Sequence, residues 1–112
     1  MKRLVFFTAV PACALILASC ETSSKRAPAV TAAFIRAARQ ENSQAATLEA
    51  GRKVFLNRCI PCHALPDVAR YDSARIPRIV GWMSGRAHLT REQHDALVKY
   101  LLAVNSQSKT EP

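Results

Sequence analysis

The stretch TLEAGRKVFLNRCIPCH, residues 47–63, decides how this chain is read. Thr47 is a suitable helix N-cap, and Glu49 in the following turn suits the positive end of a helix dipole. Leu48, Gly51, Phe55, Cys59 and Cys62 then fall on one side of the helix that this spacing predicts. The stretch ends Cys59-Ile60-Pro61-Cys62-His63, the pattern C-x-x-C-H, which reads as an attachment site for c-type haem. Two thiols three positions apart near a helix end can each add to one vinyl group of the same porphyrin. The next residue then offers an imidazole to the iron. Three other readings compete. A thioredoxin-type dithiol needs a βαβ setting, which the sequence lacks. A zinc site needs a second ligand pair, and His88 and His94 stand six apart with no further Cys beside them. A chance occurrence of the pattern is the third.

Outward from the motif, the chain has few elements. Toward the C-terminus, Pro77 at a first helical position predicts a helix from Ile76, with Ile76, Ile79, Val80 and Met83 on one face. Thr90 and Gln93 have capping-box spacing, with Glu92 also in the first turn. Leu97, Tyr100, Leu101 and Val104 follow as an apolar stripe. Toward the N-terminus, residues 20–46 are rich in Ala, Ser, Thr, Gln and charge and read as a tether. Within it, Val30, Phe34, Ile35 and Ala38 have the spacing of one short amphipathic helix after Pro28. No segment alternates with period two between turns, so the expected fold class is all-α. A compact domain is expected over residues 47–104 and a flexible tail over 105–112.

The 112 residues leave room for one small domain and exclude a multidomain enzyme, a large β-barrel or a polytopic membrane protein. The first nineteen residues read as a signal peptide: Lys2 and Arg3, then the apolar run 4–17, too short for a spanning helix of roughly 20. The run ends Leu17-Ala18-Ser19-Cys20, which resembles the lipobox of bacterial lipoproteins. That resemblance implies cleavage before Cys20, acylation of its thiol, and anchoring to a membrane without crossing it. An ordinary signal peptide cut nearby is the alternative. Export removes Cys13 and commits Cys20, so Cys59 and Cys62 are the two thiols left.

Gly51-x-x-x-Phe55-x-x-x-Cys59-x-x-Cys62-His63, a later Met, and Leu89-Thr90 followed by Leu97-x-x-Tyr100-Leu101 together resemble class I cytochrome c over residues 47–104. The resemblance implies a small helical domain wrapped around one covalent haem c, carrying single electrons. It further implies that Gly51 lets the first and last helices approach, with Phe55 and Tyr100 at the crossing. Pro66 would offer its carbonyl to the His63 ring. The segment between His63 and the distal ligand is short compared with the family, as in its minimal monohaem members.

Met83 is the one methionine other than Met1 and stands where the small cytochromes place their axial thioether. His63 and Met83 are therefore the expected iron ligands. The plainer reading of Met83 is a core residue continuing the Ile76, Ile79, Val80 face. His88 as sixth ligand would give bis-His ligation, although its polar surroundings suit a solvated loop, and His94 suits an exposed flank. An empty sixth site would instead suit a haem-based gas sensor or peroxidase, and a third possibility is a lipoprotein in which haem only staples the fold. Trp82, the one tryptophan, is expected to pack on the porphyrin or a neighbouring helix.

The formal charge is +8, and removing Lys2 and Arg3 leaves 14 basic against 8 acidic residues. Arg70, Arg75, Arg78 and Arg86 surround the proposed distal segment, where they suit haem propionates or an acidic redox partner; singly, each is a solvated surface residue. The expected partners are periplasmic or membrane redox proteins and the membrane itself through the lipid, on the periplasmic side, with no role for nucleic acid. No catalytic residue is expected.

Overall fold

The computed structural model describes residues 25–39 and 44–109; the signal segment and Cys20 lie outside them. The described chain is all-α, with no strand. Helix α1 spans Ala32–Ala37, α2 Ala45–Val54, α3 Ile76–Ser84 and α4 Arg91–Ser108. A π-helical turn, Phe55–Cys59, continues α2, and two 3₁₀ turns, Val68–Arg70 and Ser73–Arg75, lead into α3.

α4 begins as its spacing predicts. The Thr90 hydroxyl accepts from the Gln93 N–H at 3.2 Å, and the Gln93 side chain accepts from the Thr90 N–H at 3.0 Å. Pro77 sits in the first turn of α3 as expected. The start of α2 differs: it begins at Ala45, with Gln44 at the cap position making no side-chain bond. Ala45 and Ala46 are strong helix formers, so the helix extends two residues past Thr47, and Glu49 lies beyond the first turn.

α4 is the central strut. α2 crosses it, and α3 and α1 pack beside that crossing. Gly51 permits the crossing, since a β-carbon there would lie 2.1 Å from the Ala96 oxygen. Phe55 and Phe34 flank Tyr100, with ring centroids 6.2 Å and 5.9 Å away. Leu48, Phe55, Ile76 and Tyr100 are fully buried around this point.

The core extends beyond residues 47–104 at both ends. Ala27, Phe34, Ile35 and Ala38 belong to the same buried cluster as Leu48 and Tyr100. Four side chains hold this N-terminal segment. Tyr100 Oη donates to the Pro28 carbonyl at 2.8 Å, Arg52 Nε to Ala27 at 3.2 Å, and Gln107 Nε2 to Phe34 at 2.8 Å, while Arg26 donates to the Leu65 carbonyl. At the other end α4 runs on to Ser108, so the stretch read as a tail from residue 105 is helical up to there.

Asn105 explains that extension. It is 1% exposed, and its Nδ2 donates to the carbonyls of Val68 at 2.8 Å and Tyr71 at 2.9 Å. These bonds pin the first 3₁₀ turn to α4. α3 closes with a Schellman motif: Leu89 N–H bonds Ser84 O, and His88 N–H bonds Gly85 O. His88 takes the left-handed position usually given to glycine, with φ 52°.

Candidate functional site

The end of α2, the loop after it, α3 and α4 enclose a cavity of about 380 Å³. That volume lies in the range of small-molecule and cofactor sites, roughly 300–1,000 Å³. Phe55 and Leu97 form part of its wall together with Leu101 of α4; Val68 and Tyr71 close it from the pinned 3₁₀ segment. From α3 come Ile76, Ile79, Val80 and Met83, the four residues whose spacing placed them on one face.

Cys59, Cys62 and His63 line the same cavity. The π turn carries α2 directly into Cys59, and a tight turn closed by Cys62 N–H to Cys59 O presents the second thiol. Both cysteines are free thiols, Cys59 half-buried and Cys62 exposed. Burial pushes the Cys59 thiol above its ordinary value, and the neighbouring Cys62 adds to that. Cys59 therefore stays protonated at neutral pH, as an S–H group rather than a thiolate.

His63 Nδ1 lies 2.8 Å from the Ala64 carbonyl oxygen. A carbonyl can only accept, so the ring proton sits on Nδ1 and Nε2 keeps its lone pair for a metal. The carbonyl expected in this role was that of Pro66. Ala64 takes it because its oxygen is one residue away and needs no loop to fold back, and Pro66 lines the cavity instead.

The remaining candidates divide cleanly. His88 and His94 are not part of the cavity wall; His88 caps α3, and His94 Nδ1 lies 2.9 Å from Asp95 Oδ1. Among the described residues no three His, Cys, Asp or Glu side chains converge. Arg86 lines the cavity, whereas Arg70, Arg75 and Arg78 are exposed and off its wall. Among the described residues, Trp82 packs on no neighbouring helix. It is 78% exposed, because Val80 and Met83 take the inner face of α3 and Trp82 falls on the opposite side.

Arg58 and Tyr71 also line the cavity and carry no sequence signal of their own. Arg58 could have been suspected from its place beside Cys59. Tyr71 could not, because its carbonyl is held by Asn105, 34 residues away.

No family model, curated protein sequence or solved structure matches this chain. The functional reading therefore rests on the cavity and the side chains that meet there.

The residues present fit one c-type haem. The cavity is apolar over most of its wall, both thiols and the imidazole of C-x-x-C-H open into it, and a thioether enters from α3. Arg58 and Arg86 are the cations at hand for two carboxylates.

Proposed function

We propose that this protein is a monohaem c-type cytochrome that carries single electrons, exported and held by a lipid on Cys20 at the periplasmic side of a bacterial membrane. The observation that carries the reading is that one apolar cavity collects Cys59, Cys62, His63 and Met83. When bound, haem supplies a one-electron ferric/ferrous couple. The chain's residues make that couple usable. The Cys59 and Cys62 thiols would hold the group by adding S–H across its two vinyl double bonds, an addition that needs no oxidant and releases nothing. His63 would offer Nε2 to the iron, with its ring held through Nδ1 by the Ala64 carbonyl. Met83, which enters the cavity from α3, would offer its sulfur as a second ligand, and a thioether would favour the ferrous form and raise the potential. Phe55, Ile76, Val80 and Leu97 keep water out, so ligands and surroundings change little as the charge changes. On this reading there is no substrate chemistry and the protein is not an enzyme.

The rival reading leaves the sixth site open for a gas or peroxide. An optical spectrum of the mature, haem-loaded chain, oxidised, reduced and then exposed to carbon monoxide, separates the two. A low-spin spectrum with a weak red ferric–thioether band and no carbon monoxide binding is expected. Substituting Met83→Ala then opens the site to carbon monoxide. High-spin iron that binds carbon monoxide in the unaltered protein would place the sensor or peroxidase reading first. The mass of the mature N-terminus tests the anchor, since an acylated Cys20 is expected there.

A further inference from the structure

α3 has two faces of opposite character. Its inner face, with Val80 and Met83, lines the cavity. Its outer face carries Arg78 and Trp82, and Arg75 at its N-cap continues that line, the three spaced i, i+3, i+7 and all exposed. Trp82, at 78% exposure, leaves its large apolar ring in water. Gly81 and Gly85 flank it with nothing within 4 Å of either added β-carbon, so no packing within the chain calls for glycine there.

The charge on this face has one sign. Arg75 and Arg78 are its charged residues, and between residues 75 and 91 the sequence has no Asp or Glu. Neither arginine forms an ion pair among the described residues. Exposed Trp and Arg together are the residue types that dominate the energetics of protein interfaces.

We propose that the outer face of α3 is a docking surface for an acidic partner protein, with Trp82 entering an apolar socket and Arg75 and Arg78 meeting carboxylates around it. The proposal rests on the electron-carrier reading, because the docked surface would lie on the Met83 side of the cavity with one helix between. Charge decides against a second copy of this chain, which would set arginine against arginine. A membrane is disfavoured by the face itself: Trp82 is its one large apolar side chain, whereas interfacial helices bury a continuous apolar face.

The test uses the haem-loaded mature chain and a reduced flavodoxin, a strongly acidic electron-transfer protein, as the probe. The bimolecular oxidation rate of the flavodoxin is measured against ionic strength, with ascorbate as a small-molecule control and the optical spectrum as a check on the haem site. Arg75→Glu/Arg78→Glu is expected to slow the flavodoxin reaction at least tenfold at low salt and to flatten its salt dependence. Trp82→Ala is expected to slow it about threefold to tenfold at every salt concentration. Both variants should leave the ascorbate rate and the spectrum unchanged. Flavodoxin rates equal to those of the unaltered protein, or a loss shared with ascorbate, would overturn the docking surface. So would Trp82→Ala abolishing sedimentation with phosphatidylglycerol vesicles while sparing the flavodoxin rate, which assigns the face to lipid. A spectrum lacking haem in the unaltered protein would instead overturn the electron-carrier reading itself.

Discussion

Gly51 stands against the Ala96 backbone with no room for a side chain: a β-carbon would lie 2.1 Å from the Ala96 oxygen and 2.7 Å from the Tyr100 β-carbon. Neither neighbour can swing aside, since one is backbone and the other is the root of a fully buried side chain. Gly→Ala inside an exposed helix ordinarily stabilises by about 1 kcal/mol. Here the sign reverses. Gly51→Ala is expected to cost about 2–3 kcal/mol by forcing α2 and α4 apart, a fall in Tm of at least 8 °C for a domain of this size. A thermal melt of the haem-loaded variant at or above that of the unaltered protein would remove the close crossing from the fold.

Asn105 joins α4 to the segment that carries Val68 and Tyr71 into the cavity wall. Asn105→Ala removes both donated bonds and leaves two carbonyls facing a void, a loss expected at about 2–4 kcal/mol. Asn105→Asp is more telling. A carboxylate cannot donate, so the new side chain must be protonated to bond either carbonyl, which raises its folded pKa above the unfolded value. Its bond therefore contributes below about pH 4 and is lost as pH rises through the folded value. Denaturant midpoints at pH 5 and 8 should show Asn105→Asp closer to the unaltered protein at pH 5. Equal deficits at both would mean that the bonds carry no weight.

His88 occupies a left-handed backbone position, φ 52°, in the Schellman closure of α3. Glycine takes that conformation without steric cost. His88→Gly is expected to stabilise by about 0.5–1 kcal/mol, with the optical spectrum unchanged because His88 is off the cavity wall. A lower Tm with an altered Soret band would instead make His88 a ligand.

The elements carrying local signals were legible in the sequence, because their causes lie within a few residues. The Thr90–Gln93 capping box, Pro77 opening α3 and the Ile76, Ile79, Val80, Met83 face are of this kind. Gly51 came from the family resemblance, since nothing in its own neighbourhood demands glycine. What escaped depended on distant partners. The Ala- and Gln-rich segment around α1 looks like a linker until Arg52, Tyr100 and Gln107 are seen bonding its carbonyls. Asn105 continues the Leu97, Leu101 stripe at i+4 and i+8, yet its two acceptors lie 34 and 37 residues away. Trp82 was misplaced because a large aromatic suggests burial, whereas the α3 periodicity, read one residue further, sets it opposite Val80.

Tyr100 is fully buried, and its hydroxyl donates to Pro28. Burial pushes its phenol far above the ordinary value of 10, with Arg52 opposing and Glu49 adding a smaller upward push. The folded pKa exceeds the unfolded one, so this contribution is complete below about pH 10 and is lost as pH rises toward the folded value. Tyr100→Phe should lose about 1 kcal/mol at pH 8, where the bond to Pro28 is missing. Above pH 10 the unaltered protein should lose stability toward about 1.4 kcal/mol per pH unit, one proton's worth, so its advantage over Tyr100→Phe should vanish before pH 11 and then reverse. Parallel alkaline declines in the two proteins would show that this phenol does not titrate on unfolding.

On the cytochrome reading proposed above, leaving out the haem tests the fold as a whole. An empty space of 380 Å³ lined by Phe55, Ile76, Val80, Leu97 and Leu101 would cost on the order of 9 kcal/mol if it stayed dry, at about 24 cal/mol per Å³. A small domain has about 0.05–0.15 kcal/mol per residue to spend, which for the residues described here is roughly 4–12 kcal/mol in total. The cavity term is thus comparable to the entire stability, and water entering it would wet the apolar wall rather than restore packing. The chain expressed without haem-attachment machinery is therefore expected to show less than half the far-UV helical signal of the loaded protein and no cooperative melt. A sharp thermal transition in that haem-free chain would mean that α2, α3 and α4 close on one another unaided, and the cavity would then have to collapse to a fraction of its present volume.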